Sequence, residues 1–198
     1  MSTLFIDSET TGIADFRLPL SHSGHPHVCQ WGAILDDDER HVVAEMNLMI
    51  KPDGWEIPEE AAKIHGITTK RALRFGVNLL GVMKLLNALI ARADKVVAHN
   101  MAFDGLMAAV EFHRLNLHEE IERWRDKCRF CTMEAATPIL KLPGRYNSYK
   151  WPNLQEAHEH FFGVRFDGAH DAMADVRACK AVYYALPKPT PELEEIDL

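Results

Sequence analysis

Leu4-Phe5-Ile6-Asp7-Ser8-Glu9-Thr10-Thr11-Gly12 is the stretch on which the reading of this chain turns. Three apolar residues in a row read as a strand buried on both faces. The run stops at Asp7, and two carboxylates follow at i and i+2. Along a strand such positions share a face, with Cα atoms roughly 6–7 Å apart. Two carboxylates held side by side at the end of an apolar strand repel each other and resist desolvation. A divalent cation removes that cost; a solvated strand end would leave two ordinary acids.

The chain around this stretch has 198 residues, 47% of them hydrophobic and 26% charged. These values fit one globular domain, or one domain plus a tail, and exclude a wholly disordered, collagen-like or coiled-coil protein. Lys and Arg number 22 against 29 Asp and Glu, a net charge of −7. Such a chain has no global attraction to phosphate backbones, so a nucleic-acid substrate requires local cations. Four cysteines are too few for a disulfide scaffold, and Cys128 and Cys131 lack the second ligand pair of a zinc site. No signal-peptide pattern precedes Leu4 and no apolar run is long enough to span a bilayer, so a reducing, cytoplasmic setting without membrane contact is expected.

Further strands are expected at 28–35 and 42–50, paired through the polar turn Asp36-Asp37-Asp38-Glu39-Arg40. Short helices are expected at 59–65 and 69–75, and a longer one at 79–92, where Leu79, Leu80, Val82, Met83, Leu85, Leu86, Leu89 and Ile90 form a broad apolar face. A short strand at 95–98 leads to a helix at 103–115. A charged stretch then runs through Asp126, and a loop with three prolines covers 138–152. The last helices span 153–162 and 171–186, with Asn153 and Asp171 as caps. The order is that of an α/β domain with a mixed sheet. An acidic, proline-containing tail at 187–198 is set apart from a domain at 1–186.

Two more segments carry carboxylates to the ends of elements. Asp104 falls in the first turn of the helix after His99-Asn100, where an acid also complements the macrodipole. His170 precedes the last helix and Asp175 lies in its first turns, behind the cap Asp171. Four carboxylates from three elements can converge at one sheet edge, and their charge balances two divalent cations. Hard oxygen ligands suit Mg²⁺ or Mn²⁺. A two-metal site clamps the attacking and leaving oxygens of a phosphoryl transfer. A nearby histidine, His170, is well typed as the base that takes a proton from water.

Asp7-Ser8-Glu9-Thr10-Thr11-Gly12, His99-Asn100 with Phe103-Asp104, and His170 five residues before Asp175 resemble the three motifs of the DnaQ-like DEDDh 3′–5′ exonuclease family. Ile64-His65-Gly66-Ile67-Thr68 resembles a further block between the first two, and the match extends over residues 4–185. The resemblance implies a ribonuclease H-like fold, a five-stranded mixed sheet with one antiparallel strand flanked by helices. It implies removal of nucleoside 5′-monophosphates from 3′ ends with two Mg²⁺ or Mn²⁺ ions. By position, Asp7, Glu9, Asp104 and Asp175 become the metal ligands, Asp7 bridging both ions, and His170 the base. Thr10, Thr11, Gly12 and Ile13 then lie along the terminal nucleotide, with His65 and Asn100 beside it; Phe103, next to Asp104, reads either as a residue stacking on a terminal base or as a core residue of its helix. The family resemblance also allows a homodimer and, for a proofreading role, a polymerase in trans.

Single-stranded DNA or a frayed 3′ end is the expected substrate. An RNA 3′ end or short oligoribonucleotide is the alternative, and a non-catalytic nucleic-acid-binding module the remote one. Lys141, Arg145, Lys150 and Arg165, interleaved with Tyr146, Tyr149 and Trp151, suit phosphate pairing and base stacking, or form an ordinary surface loop with its aromatics tucked inward. His22, His25 and His27 sit in a Ser/Gly/Pro loop and are read as structural, although their spacing would also suit a transition metal.

Overall fold

In the computed structural model, which describes residues 1–146 and 148–187, a five-stranded sheet runs in the order β3 (Val42–Met49), β2 (Val28–Asp36), β1 (Thr3–Thr10), β4 (Lys95–Ala98), β5 (Cys128–Cys131). Strand β2 is antiparallel to both its neighbours, whereas β1, β4 and β5 run parallel. The C-terminal ends of β1, β4 and β5 therefore share one edge of the sheet. This is the expected ribonuclease H-like mixed sheet with one antiparallel strand.

Central position explains the apolar opening of β1. Leu4, Phe5 and Ile6 are fully buried, each burial worth about 1.5–3 kcal/mol. Alternation divides them between two layers. Leu4 and Ile6 join the larger core with α3 (Leu79–Arg92), α4 (Met101–Arg114) and α5 (His118–Asp126). Phe5 faces the opposite layer, built on α8 (Ala172–Ala185) through Met173, Val176 and Cys179. Asp7 and Glu9 continue the Phe5 face, and Ser8 the other.

Helix α8 is pinned to β2 at both ends. Ahead of its first turn, Gln30 Nε2 donates to Asp171 Oδ2 (3.1 Å) and Gln30 Oε1 accepts from the Ala172 amide (3.3 Å). At the far end, the buried Asp36 accepts from Lys180 Nζ (2.7 Å) and Tyr184 OH (2.9 Å). Between these clamps the helix backbone lies on Gly32, where a Cβ would come within 2.6 Å of the Ala172 carbonyl.

Several sequence expectations change in the structure. Strand β1 runs to Thr10, so both acids lie within it as their i, i+2 spacing implies, opposite Gly32 and Gln30 of β2. The charged stretch before Asp126 is helix α5, held by only two buried side chains, Ile121 and Trp124; the Trp124 indole donates to the Gly105 carbonyl (3.0 Å). The proline-rich loop starts later than expected, because α6 (Thr132–Leu140) takes Pro138 into its last turns. On α3, Leu80 and Leu85 are exposed, so the buried face is narrower than the run of leucines implies. The remaining helices, α1 (Glu59–His65), α2 (Thr69–Phe75) and α7 (Leu154–Phe162), fall at the expected places. The predicted acidic tail lies outside the described residues beyond Pro187. Among the described residues no helix is long and apolar enough to cross a membrane, and the four cysteines are free.

Candidate active site

Three elements bring carboxylates to the C-terminal end of β1. Asp7 and Glu9 come from the strand itself. Asp104, in the first turn of α4, is only 3% exposed and accepts a hydrogen bond from Ser8 Oγ (2.7 Å). Ser8 thus links the strand to α4 from the face opposite Asp7 and Glu9, a role that its place between two acids conceals. Asp175, in the first turn of α8, accepts through Oδ2 from the His170 amide (3.2 Å). His170 reaches this geometry through a left-handed backbone, φ 68°, a region in which histidine is more frequent than most non-glycine residues. Glu9, His170 and Asp175 each place a ligand atom within 4.8 Å of the others.

Electrostatics mark the cluster as one unit. Burial, with the charges of Asp104, Asp175, Glu9 and Asp171, raises the Asp7 carboxyl well above its ordinary range. Burial and the charges of Asp175 and Asp104 push Glu9 up to about 8. Burial raises Asp104 to about 7 against the opposing Ser8 hydrogen bonds, and raises Asp175 to about 6. Asp175 Oδ1 is fully buried without a hydrogen-bond partner among the described residues. A cluster of oxygen donors that cannot all ionise together, with a fully buried oxygen of Asp175 left unpaired, fits a divalent cation on chemical grounds.

This arrangement has a pH consequence. A carboxyl whose folded-state pKa is raised binds more protons folded than unfolded, so stability falls as pH rises toward the folded value. For Glu9 and Asp104 that fall reaches about 8 and about 7. His27, pushed down to about 4 chiefly by burial, acts in the opposite sense only below its unfolded value. In EDTA, the melting temperature should therefore decrease between about pH 6.5 and about pH 8.5, and saturating Mg²⁺ should flatten the decrease. Calorimetric scans in both buffers measure it; a metal-free curve flat over this window would refute the coupled cluster.

Thr10, Thr11, Gly12, Ile13, His65 and Phe103 line one cleft of about 490 Å³ that also reaches Ser8 and Glu9. Ile13 is 92% exposed on its rim. Thr11 Oγ1 is already committed to the His27 amide (2.8 Å), which ties this rim to the start of β2. His65 Nδ1 accepts from the Ile67 amide (3.1 Å), and its Nε2 is buried, with the Thr10 backbone nearby. Asn100 does not join this lining; it takes a left-handed φ of 76° at the start of α4 and turns the chain toward Asp104.

His99, adjacent in sequence to Asn100, has a structural task. Its Nε2 faces the Pro152 carbonyl (3.0 Å), which can only accept, so that nitrogen carries the hydrogen. Burial lowers its pKa, and the neutral ring then accepts at Nδ1 from Thr132 Oγ1 (2.9 Å). The ring thereby joins β4, α6 and the loop before α7. His25 and His27 are structural as well: His25 contacts the Pro19 carbonyl and His27 stacks on Trp55 at 4.5 Å. Among the described residues these histidines belong to no metal-ligating group. Neither Gln30 nor Gly32, which seat the N-terminus of α8, is recognisable from sequence, because each acts through a contact more than a hundred residues away.

The RNase_T family model, described as Exonuclease, matches residues 4–183. An uncharacterized exonuclease, CP81, of Escherichia phage 186 is 27% identical over 187 residues, which cover 93% of this chain and 88% of that protein. E. coli Exonuclease I, in a crystal structure with a dT13 oligonucleotide, superposes with a TM-score of 0.72 at 24% identity, over 92% of this chain. The zinc-bound Exonuclease I–ssDNA complex gives 0.70 at 25% identity, over 93%. The chain spans about 40% of the length of Exonuclease I. Its sheet order, its gathered carboxylates and a family match over nearly its whole length place the chain in the DnaQ-like, DEDDh-type exonuclease family.

Proposed function

We propose that the chain is a divalent-metal-dependent 3′–5′ exonuclease that releases nucleoside 5′-monophosphates from single-stranded DNA. The observation that carries this reading is the convergence of Asp7, Glu9, Asp104 and Asp175 on the end of β1, with pKa values raised by burial first and by neighbouring carboxylates second, and His170 alongside. These four carboxylates are the residues to hold two cations, and their oxygen donors suit Mg²⁺ or Mn²⁺. When bound, such ions lower the pKa of water and stabilise charge on a phosphate. The chain supplies the rest. His170 is exposed beside Glu9 and Asp175, so an imidazole nitrogen can accept the proton of the attacking water and pass it to solvent. The cleft from Thr10 to Ile13 holds the terminal nucleotide against Phe103 and His65. Single-stranded DNA is favoured by the likeness to the Exonuclease I–ssDNA complex.

A 5′-labelled single-stranded DNA oligomer, incubated with Mg²⁺, Mn²⁺ or EDTA, tests the reaction, its polarity and its metal dependence together. The expected product is a ladder shortening from the 3′ end, absent in EDTA. His170→Asn is the preferred variant, since asparagine also tolerates the left-handed backbone of this position. It should lower kcat by about 10²–10⁴-fold, the range for loss of a general base. Shortening from the 5′ end, or full activity in EDTA, would refute the proposal; a matched RNA oligomer cleaved faster would reassign the substrate.

A further inference from the structure

The described residues between α6 and α7 form an arm that the carboxylate site does not use. Gly144 N–H donates to the Ser148 carbonyl (2.9 Å), Lys150 N–H donates to the Leu142 carbonyl (3.0 Å), and Pro143 and Tyr149 form an antiparallel bridge. Gly144 permits this closure, because a Cβ there would lie 2.7 Å from the Ser148 oxygen. The root of the arm is firmly held. His99 Nε2 donates to the Pro152 carbonyl, Lys150 pairs with Glu156, and Asn153 and Glu156 cap α7 reciprocally. Gln155 exchanges two hydrogen bonds with the backbone of Phe166 (2.8 and 3.2 Å), in the loop that leads to His170. The root therefore adjoins both the segment leading to Asp104 and the one leading to His170, at the edge of the sheet that carries the carboxylates.

The side chains of this arm depart from the rest of the molecule. The chain has four tyrosines and four tryptophans. Tyr146, Tyr149 and Trp151 are 100%, 50% and 67% exposed, and the other five are buried or half-buried. Residues 141–151 contain Lys141, Arg145 and Lys150 and no carboxylate, in a chain of net charge −7. Exposed aromatic faces next to cations match a polyanion whose bases are free to stack; in a duplex those faces are already covered. An acidic protein would engage the cations and leave the aromatic faces without a complement.

We propose that the arm is a stacking platform for the single-stranded segment on the 5′ side of the terminal nucleotide. Tyr146, Tyr149 and Trp151 take the base faces, and Lys141 and Arg145 the phosphates. The inference rests on the exonuclease reading above and deepens it by naming a second contact with the same strand.

Tryptophan fluorescence of the full chain, titrated in EDTA with oligo(dT) or oligo(U) of about 20 nucleotides, isolates binding from turnover. Trp31 and Trp124 are buried and Trp55 is stacked on His27, so quenching on binding should come chiefly from Trp151. Trp151→Phe should lose most of the quench while Kd, read by anisotropy, stays within about threefold, because phenylalanine also stacks. Trp151→Ala should weaken binding about tenfold, and the further change Tyr146→Ala about tenfold again. A loss confined to dT or to U would identify which strand the arm serves. Unchanged Kd in the double alanine variant, with the wild-type chain binding, would overturn the arm and leave the exonuclease reading intact. Quenching that grows with protein concentration alone would also overturn it, in favour of a second copy covering the arm. A wild-type chain that binds and cleaves no single strand would bring down both.

Discussion

Asp7→Asn should reduce cleavage by at least about 10³-fold, and the metal-free protein should become more stable. The first effect follows from removing one of four converging oxygen donors, since bound metal supplies several kcal/mol of charge stabilisation in phosphoryl transfer. The second follows from the same geometry with its sign reversed. Asp7 is raised by burial first and then by Asp104, Asp175, Glu9 and Asp171, so its charge is opposed from every side. An isosteric amide keeps the shape and removes the opposition. In EDTA at about pH 8 the melting temperature should rise on the order of 3 °C, corresponding to about 1 kcal/mol in a chain of this size. Mg²⁺ should raise the melting temperature of the wild type and leave that of the variant nearly unmoved. Loss of activity together with a lower melting temperature would instead make Asp7 a structural residue, and wild-type kcat would remove it from the site.

Gly32→Ala is expected to damage activity without touching a catalytic group. The added methyl would sit 2.6 Å from the carbonyl carbon and oxygen of Ala172 and 3.0 Å from the Met173 amide, all of them backbone atoms. No side chain can swing away, so the N-terminal turn of α8 must lift. Overpacking of this kind costs about 1–3 kcal/mol. Asp175 lies one turn into the same helix and holds the His170 amide, so both residues move with it. Displacement of a reacting constellation by about 1 Å can cost about 10²-fold in rate. Denaturation midpoints and kcat measured on the same preparation test the pair of effects; a variant with intact stability and intact kcat would show that α8 is not seated by this contact.

The part of the site legible in the sequence is the part written locally. Asp7 and Glu9 follow an uninterrupted apolar run, and Asp104 and Asp175 sit in first helical turns. Each carries its own signal of position. The fold was legible for the same reason: β1 and β2 are buried along nearly their whole length and read as apolar runs, and α3 and α8 bury side chains at helical spacing. Helix α5 buries only Ile121 and Trp124, so its charged exterior conceals it. Strand β5 is four residues long at the sheet edge, with two of them exposed. Pro138 suggests a loop, but it lies late enough in α6 that the helix ends soon after it. Ser8, Gln30 and Gly32 shape the site through partners distant in sequence, and a single chain of letters holds no local sign of them.

The double clamp of α8 on β2 also makes the candidate site depend on nearly the full length of the chain. Its hydrogen bonds join residues 141, 144 and 148 positions apart, nearly the whole span from the second strand to the last helix. Contacts of such sequence separation carry a large loop-closure cost and slow folding. Asp175 and His170 are thus positioned by contacts that reach across most of the chain, back to the second strand of the sheet. A chain ending before α8 carries Asp7, Glu9 and Asp104 but lacks Asp175, so under the proposed function it should cleave nothing.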